Sequence, residues 1–227
     1  VRLLDLFCKA GGAAVGYNRA GFDEIVGVDI QPQARYPFQF ILGNALEYLV
    51  QHGHEFDAIH ASPPCQAFSS MKGMWNAKPH DDLLTPIRTL LIATDKPYVI
   101  ENVPGAPMEN YIWLCGSMFG LGSHDAELRR HRWFEIHPAM IWLRPPCGHH
   151  WKSRTNTVLS HGGNGGSRTV GVYGHSGGHS IRDNTQGFSK EERQQAMGID
   201  WMLGDELAQA IPPAYTEFIG KRLLEIL

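Results

Sequence analysis

Leu3-Leu4-Asp5-Leu6-Phe7-Cys8-Lys9-Ala10-Gly11-Gly12 sets an apolar run with one internal carboxylate in front of a glycine pair. Residues 3–7 predict a short buried strand, Gly11-Gly12 a tight turn, and Ala13–Arg19 a helix ended by Gly21. The next residues repeat that unit. Glu24–Asp29 reads as a second strand, Phe40–Gly43 and Ala45–Val50 as a strand end and a helix, and Phe56–Ala61 as a strand stopped by Pro63-Pro64. Leu83, Leu84, Ile87, Leu90 and Leu91 give Leu83–Thr94 one apolar helical side, and Pro97–Ile100 is the following strand. Strands alternating with helices predict an α/β fold with a mostly parallel sheet.

Past Arg132 the alternation breaks down. Pro145-Pro146, Gly162-Gly163, Gly165-Gly166 and Gly177-Gly178 punctuate short strand-like pieces such as Thr169–Tyr173, which predicts a small irregular insert. Ser189-Lys190-Glu191-Glu192 is a capping box that starts a helix, and a last helix is expected from about Pro213 to Leu227. The organisation expected is a catalytic α/β domain over 1–142, a recognition segment over 143–188 and returning helices over 189–227.

The chain has 227 residues, 43% of them hydrophobic and 19% charged, enough for a packed core and too apolar for a disordered chain. Its apolar runs fall short of the ~18 residues of a membrane span, so no membrane partner is expected. No basic and apolar leader opens the sequence, and Cys8, Cys65, Cys115 and Cys147 form no CxxC pair. A disulfide framework is not expected, and a reducing, cytoplasmic setting fits.

The net charge of −3 hides an uneven distribution. Residues 128–188 hold 8 Lys/Arg against Glu135 and Asp183, with 7 of the 12 histidines and 10 of the 25 glycines. A basic, glycine-rich segment on an otherwise acidic chain suits phosphate contact, or else a solvated loop region.

In an open parallel sheet ligands sit outside the carboxyl ends of the strands. Asp5, Gly11, Gly12, Asp29 and Asn44 all fall at such ends: glycines that allow close backbone approach, and an acidic residue suited to ribose hydroxyls. An ordinary tight turn and a helix cap would leave the same signature. Two further strand ends add chemistry. Ser62-Pro63-Pro64-Cys65-Gln66 holds a thiol on a rigid turn, and Glu101-Asn102-Val103 follows the strand over 98–100. A thiol and a carboxylate at adjacent strand ends would converge on one pocket.

These motifs, in this order, resemble the DNA cytosine-5 methyltransferases, and compact phage-encoded members most. Asp5 to Gly12 resembles the family's first motif, Pro63-Pro64-Cys65-Gln66 its nucleophile motif, Glu101-Asn102-Val103 its acidic motif, Arg130-His131-Arg132 its arginine pair, and Leu207 to Pro213 its C-terminal motif. The resemblance implies a Rossmann-like S-adenosylmethionine-dependent domain. Cys65 would add to C6 of a flipped cytosine, since C5 alone is too poor a nucleophile. Glu101 would engage N3 and the exocyclic amine, and Asn102 would orient the loop. Arg130 and Arg132 would lower the thiol pKa or hold the nucleotide. The donor pocket implied comprises Asp5, Phe7 packing on adenine, Lys9, Gly11, Gly12, Asp29 on the ribose with Ile30 beside it, Asn44 at the adenine edge, Pro64 and Gln209.

Double-stranded DNA is the partner implied, met by a monomer, and RNA is compatible. A closing loop over 67–82 would carry Ser69, Lys72 and Trp75 beyond Gln66, and Lys152, Arg154, Arg168 and Arg182 are candidates for DNA contact, with Asn156 and Asn164. Cys147, His149, His150, His161, His175 and His179 match no standard zinc spacing, so no metal is expected.

Five positions depart from the family pattern: Lys9 for Gly, Asn44 for Asp, Leu128 for Gln, and Ala208-Gln209 for Gly-Asn. Asn44 can still accept from an adenine amine. For Lys9 two readings stand. Its ammonium reaches solvent, or, with Gln209, it accepts a carboxylated donor such as carboxy-S-adenosylmethionine, giving carboxymethyl transfer. A reading of another class is a catalytically silent DNA-binding protein.

Overall fold

The computed structural model describes residues 1–65, 82–124, 126–147, 168–172 and 188–227. Five strands, β1 (Arg2–Leu6), β2 (Glu24–Asp29), β3 (Gln39–Leu42), β4 (Ala58–Ala61) and β5 (Tyr98–Asn102), pair in parallel in the order β3-β2-β1-β4-β5. Helix α1 (Gly12–Ala20) links β1 to β2, α2 (Ala45–His52) lies between β3 and β4, and α3 (Leu84–Ala93) precedes β5. Beyond β5 come β6 (Tyr111–Leu114), the two-residue strands β7 (Gly122–Ser123) and β8 (Ala126–Glu127), and β9 (Arg132–His137). β9 runs antiparallel between β5 and β6 and completes a seven-stranded sheet. This is a Rossmann-like α/β fold with a mostly parallel sheet, as the alternation predicts.

Alternation along the central strands sorts the core into two layers. Leu3, Ile25, Ala58 and Val99 face the side covered by α1 and by α6 (Pro213–Leu223), where Tyr17, Phe22, Phe134, Tyr215 and Ile219 are buried. Leu4, Leu6, Val26, Val28, Ile59 and Ile100 face α2 and α3, against Leu49, Ile87 and Leu91. α1 and α6 meet closely because Gly16 has no side chain: a Cβ there would collide with Thr216 Oγ1 and the Pro213 carbonyl. The Thr216 hydroxyl donates to the Ala13 carbonyl at 2.8 Å, which fixes the two helices to each other.

Strand β9 departs from the expectation that regular structure ends near Arg132. Its interior Glu135 breaks the apolar pattern, yet it is 4% exposed. Arg88 on α3 donates to both its oxygens, at 2.8 and 2.7 Å, and Glu109 N donates to it at 2.9 Å. A paired, hydrogen-bonded carboxylate is tolerated inside a sheet where an unpaired one is not.

A small second sheet, β7, β8 and β10 (Arg168–Thr169), shares an apolar cluster with the C-terminal segment. Leu128, Val170 and Val172 pack there with Met197, Ile199, Met202 and Leu207 from α4 (Lys190–Met197), α5 (Gly204–Gln209) and the residues between. Ser189 caps α4 by a reciprocal box with Glu192, as the sequence predicts. The last helix ends at Leu223 rather than Leu227. Among the described residues no helix is long and apolar enough to cross a membrane.

Candidate active site

The strand order reverses between β1 and β4, and a crevice outside the carboxyl ends forms at such a switch point. β1 and β2 bring Asp5 and Asp29 to one side of it. β4 and β5 bring Cys65 and Glu101 to the other. Asn102 joins the two strand ends: its Nδ2 donates to the Pro63 carbonyl at 3.3 Å, and its Oδ1 accepts from Val103 N at 2.9 Å. The proline turn that carries Cys65 is thereby tied to β5.

Glu101 is 7% exposed, on the same sheet face as Phe134. Arg132, one position before Trp133 on β9, sets its Nε 3.0 Å from Glu101 Oε1. Burial raises the Glu101 carboxyl above its usual range, while Arg132, Arg130 and a hydrogen bond from Ser62 oppose the rise. Burial also pushes the Cys65 thiol up, Glu101 adds to the rise, and Arg132 works against it. Arg132 and Arg130 both lower the thiol, as the sequence expectation has it, but burial and Glu101 outweigh them and the net shift is upward.

Behind this pair runs a polar chain that sequence reasoning missed. Tyr17 Oη lies 3.0 Å from His60 Nδ1, and His60 Nε2 lies 2.9 Å from Ser62 Oγ. Burial alone drives the His60 imidazole down to about 3, so it is neutral. A neutral ring can accept from the Tyr17 hydroxyl and donate to Ser62, which leaves the Ser62 proton for Glu101. His60 looked like one more residue of an apolar strand; only pairing with Tyr17 from α1 distinguishes it.

On the donor side, the turn after β1 is strained. Phe7 and Lys9 have φ of 59° and 46°, left-handed values that cost a non-glycine residue about 1 kcal/mol or more. Lys9 stands where the resembling family has glycine. Its ammonium lies 3.7 Å from Asp29 Oδ2, and its backbone N–H donates to the same oxygen at 3.2 Å. The cation thus answers the carboxylate at the end of β2. The other Asp29 oxygen accepts from Gln31 N at 3.0 Å.

Asp5 accepts from the Tyr36 hydroxyl at 3.2 Å, while its Oδ1 is buried with no hydrogen-bond partner. Burial pushes its carboxyl up to about 8. Ile30, the residue after Asp29, is 74% exposed, a large apolar side chain open to solvent. An orphaned buried acceptor and an open apolar side chain next to Asp29 fit an adenosyl donor with a polar amino-acid end.

Other donor-side residues have structural work of their own. Gly11 is left-handed at φ 83° and caps α1, and a Cβ on Gly12 would strike the Ile211 carbonyl. Asn44 caps α2, its Oδ1 accepting from Leu46 N at 2.9 Å and Glu47 N at 3.5 Å. Phe7 is half-buried, and Pro64 and Gln209 are exposed.

Arg130 differs most from the expectation of a group facing substrate. It is 6% exposed, and its guanidinium donates to the carbonyls of Ala208 at 2.6 Å, Ala210 at 2.9 Å and Val172 at 2.9 Å. The Tyr215 hydroxyl donates to its own carbonyl at 2.6 Å. Arg130 is a clamp holding the C-terminal segment and 168–172 to the sheet. Trp201 adds a second tie, its indole N–H donating to the Ala10 carbonyl at 2.8 Å. The backbone of Arg168 pairs with Ala126. Gln66, Ser69, Lys72, Trp75, Lys152, Arg154, Arg182, Asn156, Asn164 and the histidines 149, 150, 161, 175 and 179 lie outside the described residues.

A family-level match to "C-5 cytosine-specific DNA methylase" covers residues 1–110. The type II methyltransferase M1.HphI of Haemophilus parahaemolyticus is 30% identical over 117 residues, which is 44% of this chain and 32% of the relative. M.XorII of Xanthomonas oryzae pv. oryzae is 30% identical over 118 residues, 45% of this chain and 28% of the relative. The match thus spans about a third of the length of these curated relatives.

Among solved structures, the S. pombe Dnmt2 methyltransferase superposes with a TM-score of 0.62 at 15% identity, over 100% of this chain and 98% of that one. A protein described as a DNA modification methyltransferase encoded within an E. coli prophage gives 0.60 at 18%, over 99% of both chains. These two likenesses concern the fold. The family match ends at residue 110, past Cys65 in the turn after β4 and Glu101 and Asn102 on β5. Over residues 1–110, a little under half of its length, this chain is similar to the C-5 cytosine-specific DNA methylases.

Proposed function

We propose that the protein transfers a methyl group from S-adenosylmethionine to C5 of cytosine in DNA, through a covalent bond between Cys65 and C6 of a flipped base. The observation that carries this reading is the junction of β4 and β5. Asn102 braces the turn of Cys65, and Glu101 stands buried beside it against Arg132. The donor, when bound, supplies an electrophilic methyl on a sulfonium. Asp5, Asp29, Phe7 and Ile30 are the residues that would hold it.

Cys65 as thiolate adds to C6. Glu101, its carboxyl raised by burial, donates a proton to N3 and so draws off the charge that the addition creates. C5 becomes enamine-like and takes the methyl. Loss of the C5 proton to a base then expels the thiolate, and N3 returns its proton to Glu101, which restores the neutral ring. Arg132 orients Glu101 and limits the rise of its pKa. Burial favours the neutral thiol of Cys65, so its proton has to leave before sulfur bonds to C6.

The donor we favour is the ordinary one, because Asp29 already accounts for the Lys9 cation. Residues 143–188, with their arginines and lysine, are the segment we assign to DNA contact, between a catalytic part over 1–142 and returning helices over 189–227.

The test is reaction with cytosine-containing duplex DNA and S-adenosylmethionine, digestion to nucleosides, and mass spectrometry beside Cys65→Ala. The expected product is 5-methylcytosine from the wild type alone. A carboxymethylated base with the carboxylated donor only, or methylation of RNA and not DNA, would overturn the donor or the substrate proposed.

A further inference from the structure

Cys115, His131 and Cys147 come together outside the crevice, with one ligand atom from each lying within 4.8 Å of the other two. Cys115 follows β6 and is fully buried, His131 directly precedes β9, and Cys147 follows the Pro145-Pro146 pair. Cys147 Sγ stands 3.7 Å from His131 Nε2. A tetrahedral zinc ion with bonds of about 2.3 Å to sulfur and about 2.0 Å to nitrogen separates its sulfur and nitrogen ligands by about 3.6 Å. The Cys147–His131 edge already has that length, and the other edges need to close by about 1 Å at most.

The donor set is chemically selective. Two thiols and an imidazole with no carboxylate among them disfavour calcium and magnesium and suit zinc. The surroundings are those of a held site. Ser117 Oγ lies 3.5 Å from both sulfurs. The His131 ring packs against Trp113, which also carries the Arg144 guanidinium 4.8 Å above its ring. The three ligands are each 16 positions from the next, a spacing unlike the short pairs by which zinc sites are read from sequence.

We propose that Cys115, His131 and Cys147 bind a structural zinc ion, with the fourth position left for water or a further donor. Binding releases the two thiol protons and joins three separate places: the end of β6, the start of β9 and the beginning of the basic segment. His131 sits between Arg130, which clamps the C-terminal segment, and Arg132, which pairs with Glu101. The ion therefore fixes the backbone from which both arginines project. This assignment stands whether or not the chain methylates DNA.

The test uses the full chain produced with zinc and freed of loose metal. Elemental analysis is expected to give one zinc per chain, falling to background in Cys147→Ser and in His131→Ala. Replacement by Co²⁺ is expected to give the visible bands of tetrahedral cobalt and near-ultraviolet thiolate charge transfer, and chelation to lower the melting temperature of the wild type. Full zinc retention in both variants would overturn the proposal, as would a wild type that neither keeps zinc nor gives the cobalt spectrum. Should the variants not fold, X-ray absorption of the zinc-loaded wild type decides. Two sulfur scatterers at about 2.3 Å support the site, and an oxygen and nitrogen shell alone refutes it.

Discussion

Arg132 Nε stands 3.0 Å from Oε1 of Glu101, a pair made between β9 and β5 at the point where the neighbouring strand β4 delivers Cys65. Glu101 is thus held between burial, which raises its pKa, and three groups that lower it: Arg132, Arg130 and Ser62. Ser62→Ala removes one lowering influence, so the Glu101 pKa rises further. Where protonated Glu101 is needed, the rate falls as pH climbs through that pKa, and this limb of the profile shifts to higher pH in the variant. Arg132→Met shifts it further and lowers the maximum, because the carboxyl also loses its orientation. A limb that stays fixed or moves down would contradict the assignment.

Arg130→Ala leaves the carbonyls of Ala208, Ala210 and Val172 without their guanidinium donors. At about 1–3 kcal/mol for each buried group left unmade, a loss of about 3 kcal/mol or more is expected in urea unfolding. Arg130→Lys should restore little of it, since an ammonium cannot reproduce the planar fork.

Gly16→Ala sets a Cβ against Thr216 and the Pro213 carbonyl at the contact of α1 with α6, while Gly43→Ala meets nothing nearer than Ile41 at 4.0 Å. The first substitution is expected to cost about 1–3 kcal/mol and the second less than about 0.5 kcal/mol, read from paired thermal melts.

Asp5 gives stability a pH dependence. Its folded pKa is about 8 against an ordinary 3.8, so the folded chain holds a proton that the unfolded chain has lost. That contribution is fully present below the ordinary value and is lost as pH rises towards about 8. Asp5→Asn removes it. The variant's melting temperature should fall less than the wild type's over this range, and parallel curves would argue against a buried neutral Asp5.

Much of the fold and of the site can be read from residues 1–102, because there the chain alternates strand and helix and each motif falls at a strand end. Asn102 illustrates a reading that the geometry supports, as a brace for the loop of Cys65. The losses come where a residue's meaning depends on a distant partner. Glu135 looks wrong for a strand until Arg88 is seen beside it. Arg130 resembles a substrate contact until the carbonyls of Ala208, Ala210 and Val172 close around it. Cys147 has no second cysteine nearby in sequence, and Cys115 lies beside His131 because β6 pairs with β9, Leu114 opposite Arg132. The net rise of the Cys65 pKa is not legible in residues 62–66 either, because burial, its largest cause, follows only from the packing around the turn.

The central claim is that Cys65 bonds to C6 of cytosine. Duplex DNA containing 5-fluorocytosine tests it most directly, since fluorine at C5 cannot leave as a proton does and the thioether persists. With S-adenosylmethionine present, intact-mass analysis should show a protein–DNA adduct in the wild type, mapped to the peptide containing Cys65, and none in Cys65→Ser. Methylation of ordinary cytosine with no trapped adduct, or an adduct that survives in Cys65→Ser, would contradict it.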